Sequence, residues 1–168
     1  MNDLKQKIKM AFDSIDINIP EENRMIINIS KDGVISILSY LKNAGYEHLA
    51  LISCVDLINE NKFELVYIVS AYMKRDDEFH HREKQNIIIK TRISREKARF
   101  MTVINIFENA EPYEREIYEL FGIHFQGHPR LKPLFLEIEY EIPPFRKNFD
   151  TRKFVDDMFC NIPEIEDH

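Results

Sequence analysis

The chain has 168 residues, of which 44% are apolar and 31% are charged, and its formal net charge is −6. These values predict one soluble globular domain with its own core, and they argue against non-specific binding to nucleic acid or an anionic membrane surface. No apolar run approaches the ~20 residues that cross a bilayer, and the first residues lack the apolar stretch of a secretory signal. Cys54 and Cys160 lie far apart, which predicts reduced thiols in a cytoplasmic chain.

The first quarter of the chain predicts two helices around a strand. Apolar residues recur at helical spacing over residues 2–13, and an isoleucine-rich run from Arg24 to Ser30 favours a strand. Ser30 is expected to cap a second helix, and Gly45 is expected to end it because glycine takes a left-handed conformation without strain. The expected buried positions of this helix are Val34, Ile37, Leu38 and Leu41.

Three strands are predicted next. His48–Leu57 and Phe63–Met73 are apolar runs on either side of a polar turn at residues 59–62, a pattern typical of a hairpin. Residues 74–85 are polar and charged and predict a loop or hairpin tip. A third strand is expected over Asn86–Ile93.

Two further helices complete the predicted domain. Ser94 is expected to cap a helix that runs towards Phe107, with Phe100, Val103, Ile104 and Phe107 on one face. A second helix is expected to carry Pro112 in its first turn and to end at Gly122. The order of elements predicts an α+β fold over residues 1–128, a two-layer sandwich of helices on a mixed β-sheet.

The residues after His128 differ in character. Prolines are scattered through the segment without a sustained hydrophobic period, and the end of the chain is acidic. Residues 129–168 are therefore predicted to form an extended tail that is either disordered or laid along a partner.

Charged residues on the helix that ends at Gly122 are the first candidates for function. Glu111, Arg115 and Glu119 stand four apart, so the arginine can lie between two carboxylates; a solvated helix face explains the spacing equally well. Glu114 and Glu116 point in different directions on a helix, which argues against a catalytic pair of carboxylates.

His124 and His128 are the best candidates for metal ligands, because ligands four apart share a helical face. Gly127 and Pro129 argue against a helix there, and the sequence places no third ligand for zinc. Gly127 instead permits a positive φ, and Pro129 favours an extended His128, so the segment predicts a turn.

A stiff basic strip follows further along the chain. Pro143 and Pro144 precede Phe145, Arg146, Lys147 and Phe149. Alternating aromatic and cationic side chains suit insertion into a partner's pockets and pairing with its carboxylates. An ordinary basic loop is the alternative.

The segment from residue 114 to residue 149 resembles the small hydrophilic subunit of respiratory complex I and of related membrane-bound hydrogenases, the 'C' or 'J' component of the NADH–quinone oxidoreductase. The family pattern is Glu-Arg-Glu, an acidic residue, two hydrophobic residues and glycine, then Gly-His-Pro and later Arg-Lys-Asp-Phe. The chain matches it with intact spacing at Glu114, Arg115, Glu116, Glu119, Leu120, Phe121, Gly122, Gly127, His128, Pro129, Arg146, Lys147, Asn148 and Phe149.

Some positions depart from the complex I form of the pattern. Pro112 stands where a tryptophan is usual, and Glu119 and Asn148 stand where aspartates are usual. Pro133 and the Pro143-Pro144 pair look more like the energy-converting hydrogenase or formate hydrogenlyase branch.

The resemblance implies a subunit without a cofactor of its own, packed against a large catalytic subunit and a small iron–sulfur subunit. Iron–sulfur clusters, and a nickel–iron centre in the hydrogenase branch, would lie in those partners. The expected location is peripheral, on the cytoplasmic side of the membrane, with membrane contact only through the complex and no role for nucleic acid.

We therefore expect a non-catalytic accessory subunit of a membrane-bound, ion-translocating oxidoreductase. Its candidate interface or motif residues are Glu114, Arg115, Glu116, Glu119, Gly122, Gly127, His128, Pro129, Arg146, Lys147 and Phe149. The alternative is a free-standing metal-dependent enzyme that uses His124 and His128.

Overall fold

The computed structural model describes residues 1–74, 82–136 and 140–159. Its elements, in chain order, are α1 (Asn2–Ala11), β1 (Asp16–Glu21), β2 (Arg24–Asn28), α2 (Val34–Asn43), β3 (His48–Leu57), β4 (Lys62–Lys74), β5 (Arg82–Ser94), β6 (Arg99–Met101), α3 (Ala110–Phe121), β7 (His124–Gln126) and α4 (Thr151–Phe159). Short 3-10 turns precede α2 and follow β3. Within the described ranges, no helix is long and apolar enough to span a bilayer.

Five strands form a mixed sheet in the order β1-β2-β5-β4-β3. β2 pairs with β5 in parallel, and the other neighbours are antiparallel. β6 and β7 form a separate parallel pair. This arrangement confirms the predicted α+β fold of helices on a mixed sheet.

Burial alternates along the central strands, because successive side chains of a strand point to opposite faces. The inward positions Phe63, Leu65, Tyr67, Val69, Ile87 and Ile89 are all 0% exposed. α2 buries its four predicted apolar positions in the same core. α1 contributes the fully buried Ile8, and the Phe12 ring meets Tyr40 of α2 edge-on, with 5.6 Å between the ring centres.

The strands and the first helices lie where the sequence predicts them, with small differences. β1 is an additional strand, and β4 and β5 extend further into the polar stretch than expected; residues 75–81 lie outside the described residues. Gly45 takes the expected left-handed conformation after α2, with φ +96°. The predicted cap at Ser30 is wrong, because its side chain makes no capping hydrogen bond.

The helix predicted from Ser94 towards Phe107 is also wrong. The Ser94 hydroxyl accepts hydrogen bonds from the backbone N–H groups of Glu96 and Lys97, at 3.2 and 3.4 Å, and so closes a turn. The chain then forms β6, which pairs Phe100 with Phe125 of β7. The apolar residues expected on the helix face are still buried or partly buried, because a strand and a turn place them in the core equally well.

The tail contains a helix that the sequence did not predict, α4. Aromatic contacts tie its start to the preceding residues: the Phe154 ring lies 5.0 Å from Tyr140 and 5.7 Å from Phe149. The domain division at residue 128 stays a prediction. Cys54 is buried and free, and Cys160 lies outside the described residues.

Candidate docking site on helix α3

α3 is fixed on β3 by polar contacts as well as by burial of Ala110 and Ile117. The Asn109 side chain donates a hydrogen bond to the Leu49 carbonyl at 2.8 Å, and the Tyr113 hydroxyl donates one to the Ala50 carbonyl at 3.1 Å. The helix therefore has one face set rigidly against the sheet, and its other face is available to hold the tail.

Glu114 lies on the inward face of α3 and is 0% exposed. Its carboxyl group accepts hydrogen bonds from the Thr102 hydroxyl at 2.6 Å and the Val103 backbone N–H at 2.7 Å. Burial raises the pKa of Glu114 to about 7, although both hydrogen bonds oppose the rise. Glu114 thus stabilises the turn after β6.

Arg115 and Glu119 lie on a different side of α3 from Glu114 and bind the backbone of the tail. The Arg115 guanidinium donates to the Lys132 and Pro133 carbonyls at 3.0 and 2.9 Å. The Glu119 carboxylate accepts from the backbone N–H groups of Leu134 and Phe135, each at 3.0 Å, and from that of Leu136. Arg115 and Glu119 stand one helical turn apart on α3. The arginine therefore binds two carbonyl groups of the tail, and the glutamate binds the three N–H groups that follow them.

The predicted bridge from Arg115 to two carboxylates forms only on one side. Arg115 lies 3.4 Å from Glu111, whereas Glu119 is occupied by the tail. The alternative of a solvated helix face does not describe Arg115, whose side chain is 13% exposed. The hydrogen bond from Arg130 and the positive charges of Arg115 and Arg130 lower the pKa of Glu111 against the opposing effect of burial.

The Gly127-His128-Pro129 segment forms the predicted turn. Gly127 has φ +83°, and a Cβ there would lie 3.3 Å from the Thr102 side chain. The His128 Nδ1 accepts from the Arg130 backbone N–H at 3.0 Å, so Nε2 carries the hydrogen and points at the Glu111 carbonyl, 3.3 Å away. Both ring nitrogens are used within the chain.

His124 and His128 lie on β7 and in a turn rather than on one helical face. In the part of the chain that the structure describes, no group of three or more His, Cys, Asp or Glu residues could hold a metal ion. The spacing of four residues would bring two ligands together only on a helix, and these two histidines do not lie on one.

Gly122 ends α3 at φ +71° and receives the second part of the tail. A Cβ at Gly122 would lie 2.9 Å from Pro143 Cγ and 3.0 Å from Arg146 Nη2, closer than side chains normally approach. Arg146 Nε donates to the Phe121 carbonyl at 2.7 Å, and the Phe145 backbone N–H donates to the Leu120 carbonyl at 3.0 Å. Glycine is required here both by the backbone angle and by the contact with the tail.

Asp56 on β3 joins the tail to the sheet. It is 3% exposed, and its Oδ2 accepts from Arg95 Nη2 at 3.0 Å and from the Lys147 backbone N–H at 2.9 Å. Arg95 Nε lies 2.8 Å from Oδ1 as an ion-pair contact, and Arg95 Nη2 also donates to Asn148 at 2.7 Å. The buried carboxylate of Asp56 thus binds the Arg95 side chain and a backbone N–H group of the tail at the same time.

The Phe63 ring lies beneath both guanidinium groups, 5.6 Å from Arg95 and 5.1 Å from Arg146. Its edge-on contact with Phe121 at 6.0 Å continues to Phe145 at 5.8 Å. These contacts connect the core of the sheet to the tail through cation–π and aromatic packing.

The remaining candidate residues have different surroundings. Glu116 is half-buried, with no hydrogen-bond or ion-pair partner among the described residues. Lys147 uses only its backbone N–H, so its exposed side chain remains available. Pro129 is exposed, and Phe149 is half-buried against Tyr140 and Phe154.

Sequence reasoning missed Asp56, Arg95 and Phe63, which complete the site. Asp56 lies 39 positions before Arg95 and 91 positions before Lys147, so no local spacing connects them. The only available signal was an acidic residue at an inward position of an otherwise apolar strand.

The sequence model of one family matches residues 27–155, and that family is described as the 30 kDa subunit of respiratory-chain NADH dehydrogenase. A similar protein is the 'C' component of the F(420)H(2) dehydrogenase of Methanosarcina mazei, 34% identical over 64% of this chain and 63% of its own length. The 'C' component of the NADH-quinone oxidoreductase of Neorickettsia sennetsu is 27% identical over 80% of this chain and 68% of its own length. The chain therefore spans about two thirds of these curated relatives.

Two of the solved structures that match this chain illustrate the shared fold. A chain of the membrane-bound sulfane sulfur reductase, an archaeal respiratory membrane complex, superposes with a TM-score of 0.81 over 99% of this chain and 95% of its own, at 24% identity. The trypsin-resistant fragment (1-134) of Nqo5 superposes with a TM-score of 0.62 over 78% of this chain and 100% of its own, at 22% identity.

Proposed function

This chain belongs to the respiratory-chain NADH dehydrogenase 30 kDa subunit family, and we propose that it is a non-catalytic accessory subunit in the peripheral arm of a membrane-bound, ion-translocating oxidoreductase. It docks a large catalytic subunit and a small iron–sulfur subunit on the cytoplasmic side of the membrane. Iron–sulfur clusters, and a nickel–iron centre if the enzyme is of the hydrogenase type, reside in those partners.

The observation that carries the proposal is how the charged groups of the motif are used. Arg115 and Glu119 bind tail peptide groups, and Arg146 caps α3. A hydrolytic or redox site would instead turn such groups towards a shared space for substrate. The motif builds a fixed surface from a segment that cannot form a core by itself.

That surface presents large apolar side chains to solvent. Phe135 is 68% exposed and Phe145 is 59% exposed, and the backbone of each is held by α3. Aromatic side chains on a rigid frame are typical anchors of protein interfaces, because little conformational entropy is lost when they bind.

The relatives support a complex that need not use NADH. One relative is named for F(420)H(2) and another for NADH and quinone. Together with Pro112 and Pro133, this favours the energy-converting hydrogenase or formate hydrogenlyase branch as the home of this chain.

The test is affinity purification of the tagged chain from detergent-solubilised membranes of its own organism. The wild type is expected to recover a large catalytic subunit and a small iron–sulfur subunit, and Phe135→Ala is expected to lower the recovery. Met10→Ala is the matched control, because Met10 is 86% exposed on α1, away from the motif. Recovery of no oxidoreductase subunit by the wild type would contradict the proposal.

The alternative function, a free-standing metal-dependent enzyme, has its own test. Metal analysis of the purified chain would have to find zinc or iron at one ion per chain, and His128→Ala would have to remove it. We expect neither result, because both nitrogens of His128 already have partners.

A further inference from the structure

A basic cleft of about 670 Å³ lies beside the end of α3. It is bounded by the turn between β5 and β6, by the start of β7 and by the returning tail. Its charged and titratable lining residues are Arg95, Glu96, Lys97, Arg99, His124 and Arg146.

Positive charge is in excess in this cleft, although the whole chain carries −6. Four lining side chains are arginine or lysine, and one is a carboxylate. That carboxylate, Glu96, is engaged by the Asn61 amide at 2.9 Å. Among the described residues, no carboxylate lies within ion-pair distance of Lys97, Arg99 or Arg146. The cleft is therefore a locally positive region on a chain whose net charge is negative.

The inner wall of the cleft holds the guanidinium groups of Arg95 and Arg146, and both lie over the Phe63 ring. Asp56 is used by Arg95, while Arg146 donates only its Nε, to a neutral carbonyl. Burial and the charge of Arg95 lower the pKa of Arg146, and Asp56 only partly opposes this. The remaining donors of Arg146 and its only partly compensated charge match a carboxylate.

We propose that this cleft binds an acidic peptide segment of a partner subunit, with Arg146, Lys97 and Arg99 pairing with its carboxylates. The inference rests on the proposed function, because it needs a partner. A peptide fits better than a small anion, because Lys97, Arg99 and Arg146 line an open cleft of about 670 Å³ and a peptide can present several carboxylates to them.

Charge reversal away from the fold's own contacts tests the inference. Lys97→Glu with Arg99→Glu changes two exposed cleft residues that make no side-chain hydrogen bond or ion pair among the described residues. Lys9→Glu with Lys31→Glu is the matched control, two exposed lysines outside the cleft. Each full-length variant is used to recover the oxidoreductase subunits from detergent-solubilised membranes.

The cleft variant is expected to recover about tenfold less partner than the wild type, with the control unchanged, and raised salt is expected to weaken wild-type recovery. Equal recovery by the cleft variant and the control would overturn the inference and leave the proposed function standing. Failure of the wild type to recover any subunit would overturn the proposed function itself. If circular dichroism shows that the reversed variant is unfolded, Lys97→Gln with Arg99→Gln replaces it, with the same two outcomes.

A photo-crosslinking amino acid placed at position 97 identifies what occupies the cleft in the purified complex. The expected crosslink is to a partner peptide rich in Asp and Glu. A crosslink to a neutral or basic peptide, to lipid or to residues of this same chain would overturn the inference.

Discussion

The five-stranded sheet and the part of the tail from residue 129 to residue 149 are stabilised by different interactions. The sheet buries a continuous apolar core with zero exposure at its inward positions, and its stability comes mainly from removing that area from water. The tail segment has few buried side chains and is held by Arg115, Glu119, Arg146 and Asp56, which bind backbone groups. The first region has an apolar core, whereas the second lies on a surface that the sheet and α3 provide.

Truncation of the core is expected to have the largest effect and to disrupt both regions. Leu38→Ala on α2 removes a fully buried side chain, which costs about 2–5 kcal/mol of the free energy of unfolding. Urea unfolding measures the loss, and the tail should become protease-sensitive only as the whole chain unfolds. Leu51→Ala is the control, since Leu51 is 39% exposed; equal losses for the two variants would contradict the core assignment.

Removing the charge of Asp56 is expected to lower the free energy of unfolding and to loosen the tail, although the substitution changes the size of the side chain very little. Asp56→Asn leaves the buried Arg95 without a counter-charge, and breaking a buried pair in this way costs about 3 kcal/mol. Limited proteolysis should then cut faster within residues 140–149. Glu60→Gln alters an ion pair with Arg92 in which the two side chains are 45% and 50% exposed, and it should cost under about 1 kcal/mol. Similar losses for both variants would contradict the role given to Asp56.

The buried carboxyl of Glu114 predicts a dependence on pH. Its folded-state pKa is about 7, above the ordinary value of 4.5, so its stabilising effect is complete below pH 4.5 and is lost as the pH rises through 7. Relative to Glu114→Gln, the wild type should lose about 3 kcal/mol between these values. Denaturant unfolding of both proteins across this range measures the difference, and a pH-independent difference would show that Glu114 titrates normally.

A comparison of alanine variants at two glycines distinguishes the effect of backbone strain from the effect of a clash with the tail. Gly45→Ala and Gly122→Ala both place a side chain at positive φ, which costs about 1–2 kcal/mol. Gly45 has nothing within 4 Å of its would-be Cβ, whereas Gly122 meets Pro143 and Arg146. Only Gly122→Ala should speed proteolysis of the tail; equal tail cleavage in both variants would contradict the contact at the end of α3.

The difference between the sheet and the tail also explains which features could be predicted from the sequence. β3 and the buried positions of α2 follow from local periodicity, because a helix or strand buries one face at a fixed spacing. The helix predicted after Ser94 failed because Phe100, Val103 and Phe107 satisfy a helical spacing while a strand and a turn bury them. The bond from Lys147 to Asp56 spans 91 positions, so only the folded sheet brings the two together.

Hydroxyl-radical footprinting of Phe135 and Phe145 tests the central claim, that the motif fixes the tail as a docking surface. The measurement compares the isolated chain with the complex purified from membranes. Both rings should react readily in the isolated chain, where they are 68% and 59% exposed, and both should be protected in the complex. Equal reactivity of the rings in the two samples would contradict the claim.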